Sequence, residues 1–122
     1  MVAIAYVAAG LVGLWGVAHV VPTRQVVRGF APISKDNRFV LVQEWLAEAL
    51  TMWGIAALVV VVTASASDSA VTAWVYRCSA GLLLALAVLT SLTGARTPVI
   101  WFRVCPVLLT CSALLLLIAP LL

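Results

Sequence analysis

Four long apolar runs fill this chain and leave room for little else. Residues 2–21, 39–63, 71–92 and 99–122 hold 20, 25, 22 and 24 residues, which is 91 of the 122. A helix crosses a bilayer with about 20 mostly apolar residues, because the hydrocarbon core is about 30 Å thick and each residue rises 1.5 Å. The runs are continuously apolar rather than alternating, which excludes a β-barrel. The connections, residues 22–38, 64–70 and 93–98, are short. Short links make consecutive helices antiparallel neighbours and leave no space for a soluble domain. The expected fold is therefore all-α: one integral membrane domain over residues 1–122, a four-helix transmembrane bundle with antiparallel up-down topology.

Composition agrees. Apolar residues make up 66% of the chain and charged ones 9%, with a mean hydropathy of +1.23. Soluble domains carry about 25% charged residues, so an ordinary soluble protein and a disordered chain are excluded. The net charge of +3 comes from seven cations spread along a membrane-like sequence. They bear on topology rather than on nucleic acid, and no nucleic-acid partner is expected. The first run is expected to be a retained helix rather than a signal peptide. It has no basic leading region and ends at Pro22-Thr23-Arg24 instead of a small-residue cleavage site.

The cations orient the chain. Arg24, Arg28, Lys35 and Arg38 lie in the first connection, and Arg96 and Arg103 flank or begin the fourth run. All six fall on one side of a four-span chain, and positive residues stay cytoplasmic. Both termini are therefore expected outside, in a multi-pass protein of the bacterial plasma membrane, the cytoplasmic membrane. Arg77 lies toward the other side and is expected to snorkel toward Asp68. Within the first connection, Pro22 ends the first helix, and Gly29 and Pro32 punctuate a loop. Ser34 reads as an N-cap with Asp36 in the first turn after it. A helix from there to Thr63 measures roughly 44 Å, more than the bilayer core, so it must tilt or project.

The residues that need a reason to sit in lipid are few. A charge at the bilayer centre costs between ~3 and over 10 kcal/mol. Glu44 and Glu48 are spaced i, i+4 in the second run and share a face that Thr51 continues. Glu48 is the deeper of the two. His19 lies near the same end of the first run, with Trp15 one turn earlier, and Trp101 and Arg103 begin the fourth run. The topology brings His19, Glu44, Glu48 and Arg103 to similar depth, with Trp15, Trp45 and Trp101 around them. Two carboxylates one turn apart repel in low dielectric, and a carboxyl–imidazole pair can move a proton as general acid and base. A tryptophan wall suits an apolar or cationic ligand. Glu48, Glu44 and His19 are thus the candidate catalytic residues, and Trp15, Trp45, Thr51, Trp101 and Arg103 the candidate ligand-binding ones. The plain alternatives are an aromatic belt for the tryptophans and a phosphate-seeking side chain for Arg103.

Ala5, Ala9 and Gly13 recur at four-residue spacing and allow close helix packing, within the chain or across a homodimer. Pro106 should kink the fourth helix. Cys78, Cys105 and Cys111 are odd in number and have no CxxC spacing, so they read as buried free thiols. One histidine and no cysteine motif argue against a metal site, and no cofactor is expected.

The segment Gly29-Phe30-Ala31-Pro32-Ile33-Ser34-Lys35-Asp36-Asn37-Arg38, followed by Glu44-Trp45-Leu46-Ala47-Glu48-Ala49-Leu50, resembles a pattern in small uncharacterised bacterial four-helix membrane proteins. The architecture is similar to DoxX-like proteins. More loosely, it is similar to the EXPERA group, in which helix-borne carboxylates and aromatic residues form a cavity for apolar, often cationic ligands. That resemblance implies such parts for Glu44, Glu48 and His19. Size and span count also resemble small multidrug-resistance transporters, whose essential acid lies in the first helix, where this chain has none.

Three functional readings follow. The first is an intramembrane pocket near the cytoplasmic side for an apolar small molecule or lipid from the bilayer, with isomerase-type acid–base chemistry. The second is a small proton-coupled dimeric transporter. The third is a non-catalytic accessory subunit of a larger membrane complex.

Overall fold

The computed structural model describes residues 2–30, 32–66 and 68–122. Ala31 of the resemblance segment and Ser67 of the second connection lie outside them. Among the described residues all regular structure is helical. Helix α1 spans Val2–Val20, α2 Thr23–Gly29, α3 Lys35–Ala66, α4 Ala70–Leu92 and α5 Ile100–Ile118. Short 3₁₀ turns cover Gly94–Arg96 and Ala119–Leu121. Four of the helices, all but α2, are long and apolar enough to cross a membrane. The protein is a multi-pass, all-helical membrane protein.

Local chemistry sets the boundaries. The hydroxyl of Ser34 accepts a bond from the Asn37 N–H at 3.1 Å, so Ser34 caps α3, with Asp36 in its first turn. At 32 residues, α3 is about 48 Å long, which exceeds the bilayer core. Ser69 caps α4 by accepting from the Thr72 N–H at 3.0 Å. The first connection departs from the expected loop, because residues Thr23–Gly29 form α2. Its Arg, Gln and Val residues tolerate helix, and the Val26 N–H bonds back to the Pro22 carbonyl at 3.0 Å. Pro22 ends α1 yet serves as the residue before a new helix, and Phe30 is already extended where α2 stops. Pro106 lies inside α5 without ending it.

Helix α1 packs chiefly on α3, and α4 on α5; contacts of α1 with α5 and of α3 with α4 close the bundle. Small residues set the α1 seam. Ala5, Ala8, Ala9 and Val12 are buried, and a side chain at Gly13 would lie 3.6 Å from the Ala56 methyl. The four-residue spacing therefore serves packing inside the chain. The rest of the core is Met52, Ile55 and Val59 from α3, Tyr76, Ala80, Leu83 and Ala87 from α4, Cys105, Leu109, Ala113 and Leu116 from α5, and Ala119 just after it.

Polar side chains in these helices mostly satisfy themselves. Thr51, Thr90, Ser91 and Thr110 donate to carbonyls one turn back, at 2.7–2.9 Å. Thr63 does the same and also pairs with the buried Tyr76 hydroxyl at 2.6 Å. Arg77 stacks over the Trp74 ring, 5.0 Å from its centroid. Trp74 thus takes the place that the sequence reading gave to Asp68.

Of the glycines, Gly16 leaves the least room for a side chain, between α1 and α3. A Cβ there would lie 2.6 Å from Trp53 Nε1, which donates to the Gly13 carbonyl at 3.1 Å. The indole is rigid and held by that bond, so it yields only by leaving its place. Gly16→Val should destabilise the protein by roughly 1–3 kcal/mol, the usual cost of overpacking. Thermal unfolding in detergent micelles checks this, with Gly10→Val, which meets open space, as the tolerated control.

Candidate functional site

The site begins with the end of α1. A helix leaves its last four carbonyls without intrahelical donors. Here the Val17 carbonyl accepts from the Val21 N–H at 3.1 Å, and the Val20 carbonyl accepts from the Thr23 hydroxyl at 2.5 Å. The His19 carbonyl accepts from Trp45 Nε1 of α3 at 2.9 Å. The bond is returned: His19 Nε2 lies 3.1 Å from the Trp45 carbonyl. A carbonyl only accepts, so Nε2 carries the hydrogen in this contact. The two rings stack with centroids 3.9 Å apart and planes 17° from parallel. Phe102 of α5 meets the Trp45 ring edge-on at 5.8 Å.

These contacts place the end of α1, the first half of α3 and the start of α5 at one end of the bundle. One turn beyond Trp45, Glu48 Oε2 lies 3.6 Å from His19 Nε2. That is an electrostatic contact rather than a hydrogen bond. The His19 side chain is 9% exposed and the Glu48 side chain 24%. Among the described residues this is the only close pairing of a basic and an acidic side chain. The other oxygen, Glu48 Oε1, is buried and has no hydrogen-bond partner; the same holds for Trp15 Nε1. The Trp15 indole lies beside the buried Cys105 thiol of α5, which also neighbours the Thr90 hydroxyl of α4.

The sequence-derived candidates divide. His19, Glu48, Trp45 and Trp15 come together. Glu44 is exposed, and its carboxylate accepts a weak 3.4 Å bond from its neighbour Gln43. Thr51 donates to the Ala47 carbonyl of its own helix. Trp101 is exposed, and Arg103 is exposed with its Nε donating to the Thr97 carbonyl at 3.3 Å. The structure does not bring these four to the His19–Glu48 pair. Sequence reasoning missed Phe102 and Thr90 as neighbours and read Cys105 only as an inert thiol. Cys105 and Phe102 are one turn apart near the basic start of α5, a spacing that holds the signal in retrospect.

Among the described residues no cluster of three metal-ligating side chains occurs. An open groove of about 200 Å³ runs along Leu84, Ala87, Val88, Ser91 and Leu92 of α4 and Thr110 of α5. None of the His19, Glu48 or Trp15 side chains lines it. No family model matches the chain, and no curated protein or solved structure matches it either.

Trp45→Phe keeps a ring for stacking but removes the bond to the His19 carbonyl. It should cost about 0.5–1.5 kcal/mol, the net worth of one hydrogen bond. Its sharper signature is at His19, whose ring loses its fixed orientation. Histidine resonances of the protein in micelles should broaden or shift in Trp45→Phe and stay in place in the distant Trp74→Phe.

Proposed function

We propose that this protein binds a lipid-like or apolar small molecule at the His19–Glu48 end of the bundle, with acid–base chemistry of the isomerase type. One observation carries the reading. A carboxyl group lies inside an apolar helix bundle, 3.6 Å from an imidazole, with its second oxygen buried and unbonded. A buried ionisable group in a membrane segment is expensive and marks a site where a proton or ligand is handled. Glu48 is the proton carrier. His19 is held by Trp45, and its Nε2–H can turn from the Trp45 carbonyl toward the carboxylate when Glu48 gives up its proton. Trp15 and Trp45 wall the site. The looser resemblance to the EXPERA group points the same way, toward helix-borne carboxylates beside aromatic rings.

The reading includes a topology: four antiparallel spans in a bacterial cytoplasmic membrane, with both termini outside. Rising positions in α1 meet falling positions in α3, in the pairs Gly13–Ala56, Gly16–Trp53 and His19–Trp45. Arg24, Arg28, Lys35, Arg38, Arg96 and Arg103 then gather at the end where the site lies, which the positive-inside rule assigns to the cytoplasm.

Two experiments test these claims. In the first, the protein in membranes is photolabelled with a lipid carrying an alkyl diazirine. The label should fall on peptides around His19 and Glu48, and Glu48→Gln should reduce it by roughly tenfold, the effect of losing about 1.4 kcal/mol of binding. Equal labelling of Glu48→Gln sinks the assignment. In the second, single cysteines are introduced in a cysteine-free background. Asp68→Cys should react with a membrane-impermeant maleimide in intact cells, and Arg28→Cys only after permeabilisation; the reverse pattern inverts the topology.

A further inference from the structure

The cations of this chain and its short helix α2 share one end of the bundle. Helix α1 ends level with Trp45, where His19 and Trp45 exchange contacts at 2.9 and 3.1 Å. Phe102 on the Trp45 ring brings the start of α5 to the same end. Arg24, Arg28, Lys35, Arg38, Arg96 and Arg103 therefore gather there, against the exposed acids Asp36 and Glu44. None of the six cations pairs with a carboxylate among the described residues.

Helix α2 has two unlike sides. Arg24 and Arg28 are exposed and spaced i, i+4, so they leave one face with Cβ atoms roughly 5–6 Å apart. Val26 and Val27 are half-buried, and α2 packs against α3. The Thr23 hydroxyl and the Val26 N–H bond back to the Val20 and Pro22 carbonyls, which ties α2 to the end of α1. Because α1 ends level with Trp45, the part of α3 that α2 reaches is the part before Trp45. There Phe39 is exposed, and the Lys35 ammonium lies 5.7 Å from the centre of its ring. Phe30, just past α2, is exposed as well.

Length decides what surrounds these residues. At 1.5 Å per residue α3 measures about 48 Å, close to the ~40–45 Å of a bilayer with its headgroups. The first turns of α3, and α2 beside them, thus fall in the headgroup layer rather than in free solution. Exposed phenylalanines among cations suit that layer, where one end of a residue is apolar and the other wet.

We infer that α2 and the first turns of α3 form a binding surface for an anionic phospholipid, with the Arg24 and Arg28 guanidiniums on its phosphate and Phe30 and Phe39 among the upper acyl carbons. A guanidinium offers a fork of N–H donors that matches phosphate oxygens, and two on one helix face flank a single headgroup. A zwitterionic lipid carries its own ammonium beside the phosphate and gains less from the cations. This surface is separate from the Glu48 site, and its assignment does not depend on a ligand there.

Hydrogen exchange of α2 tests the inference. The protein is placed in nanodiscs of phosphatidylcholine alone or with a minor share of phosphatidylglycerol, and peptides covering residues 21–30 are followed by mass. The anionic lipid should slow exchange of the α2 amides roughly five- to twenty-five-fold, a factor of about five for each arginine held at the surface. Peptides from the middle of α4 should not change. Raising the salt from about 0.15 M to about 1 M shortens the screening length from ~8 to ~3 Å and should remove most of the slowing. Arg24→Gln combined with Arg28→Gln should do the same. Should that double variant lose α2, seen as fast exchange in both lipids, the salt dependence of the parent decides.

Equal exchange of the parent in the two nanodiscs overturns the proposal and leaves this face to a protein partner or a second copy. Slowing that survives high salt, or survives the double variant with α2 intact, overturns it too. Inorganic phosphate added to phosphatidylcholine nanodiscs should leave the exchange unchanged. If it slows α2 as much as the anionic lipid does, the surface serves a soluble phosphate and the lipid assignment falls.

Discussion

The reciprocal pair of bonds between His19 and Trp45 holds one end of this helix bundle together. Each residue gives its side-chain N–H to the other's main-chain carbonyl, and the rings stack between the two bonds. Nothing weaker would serve as well. The end of a helix in an apolar medium has carbonyls that water does not reach, and each must find a donor. Trp45 supplies that donor from the neighbouring helix. It thereby fixes how α1 and α3 are rotated and how far each has slid along the other. Glu48, one turn from Trp45, comes to lie beside the imidazole as a consequence. Phe102 braces the outer edge of the Trp45 ring and ties the start of α5 to the same point.

Away from that end the bundle keeps its polar groups quiet. Threonine and serine hydroxyls fold back on their own helices, so they can sit among apolar side chains without seeking partners across the bundle. Trp53 gives its N–H to the Gly13 carbonyl in a place that only the bare backbone of Gly16 leaves open. The exceptions therefore stand out. Glu48 Oε1, Trp15 Nε1 and the Ser112 hydroxyl are buried without partners among the described residues. Glu48 is the one among them that also faces a titratable partner, the His19 imidazole at 3.6 Å.

Much of the fold was readable from the chain alone. Apolar run lengths predicted the four long helices, and the observed boundaries differ from the runs mostly at polar caps. Ser34 and Asp36 marked the start of α3 because capping is a local property, decided within one turn. Helix α2 escaped notice because Pro22 and Gly29 bracket only seven residues, too few to show a period. The candidate site was readable in part. Depth alone grouped His19, Glu44, Glu48 and Arg103. Depth does not say which way a side chain faces, and Glu44 and Arg103 turn out to be exposed.

Sequence by itself determined the apolar surroundings this protein suits and the number of its long helices. Those follow from run length and the cost of burying charge, which are additive and local. Only the tertiary structure decided which ionisable groups meet. The long helices are apolar nearly all the way round, with almost no amphipathic bias in α1 and α3 to state which face is inner. Rotation about each helix axis was therefore left to packing: to the small residues of α1, the indole over Gly16, and the bonded, stacked pair of His19 and Trp45.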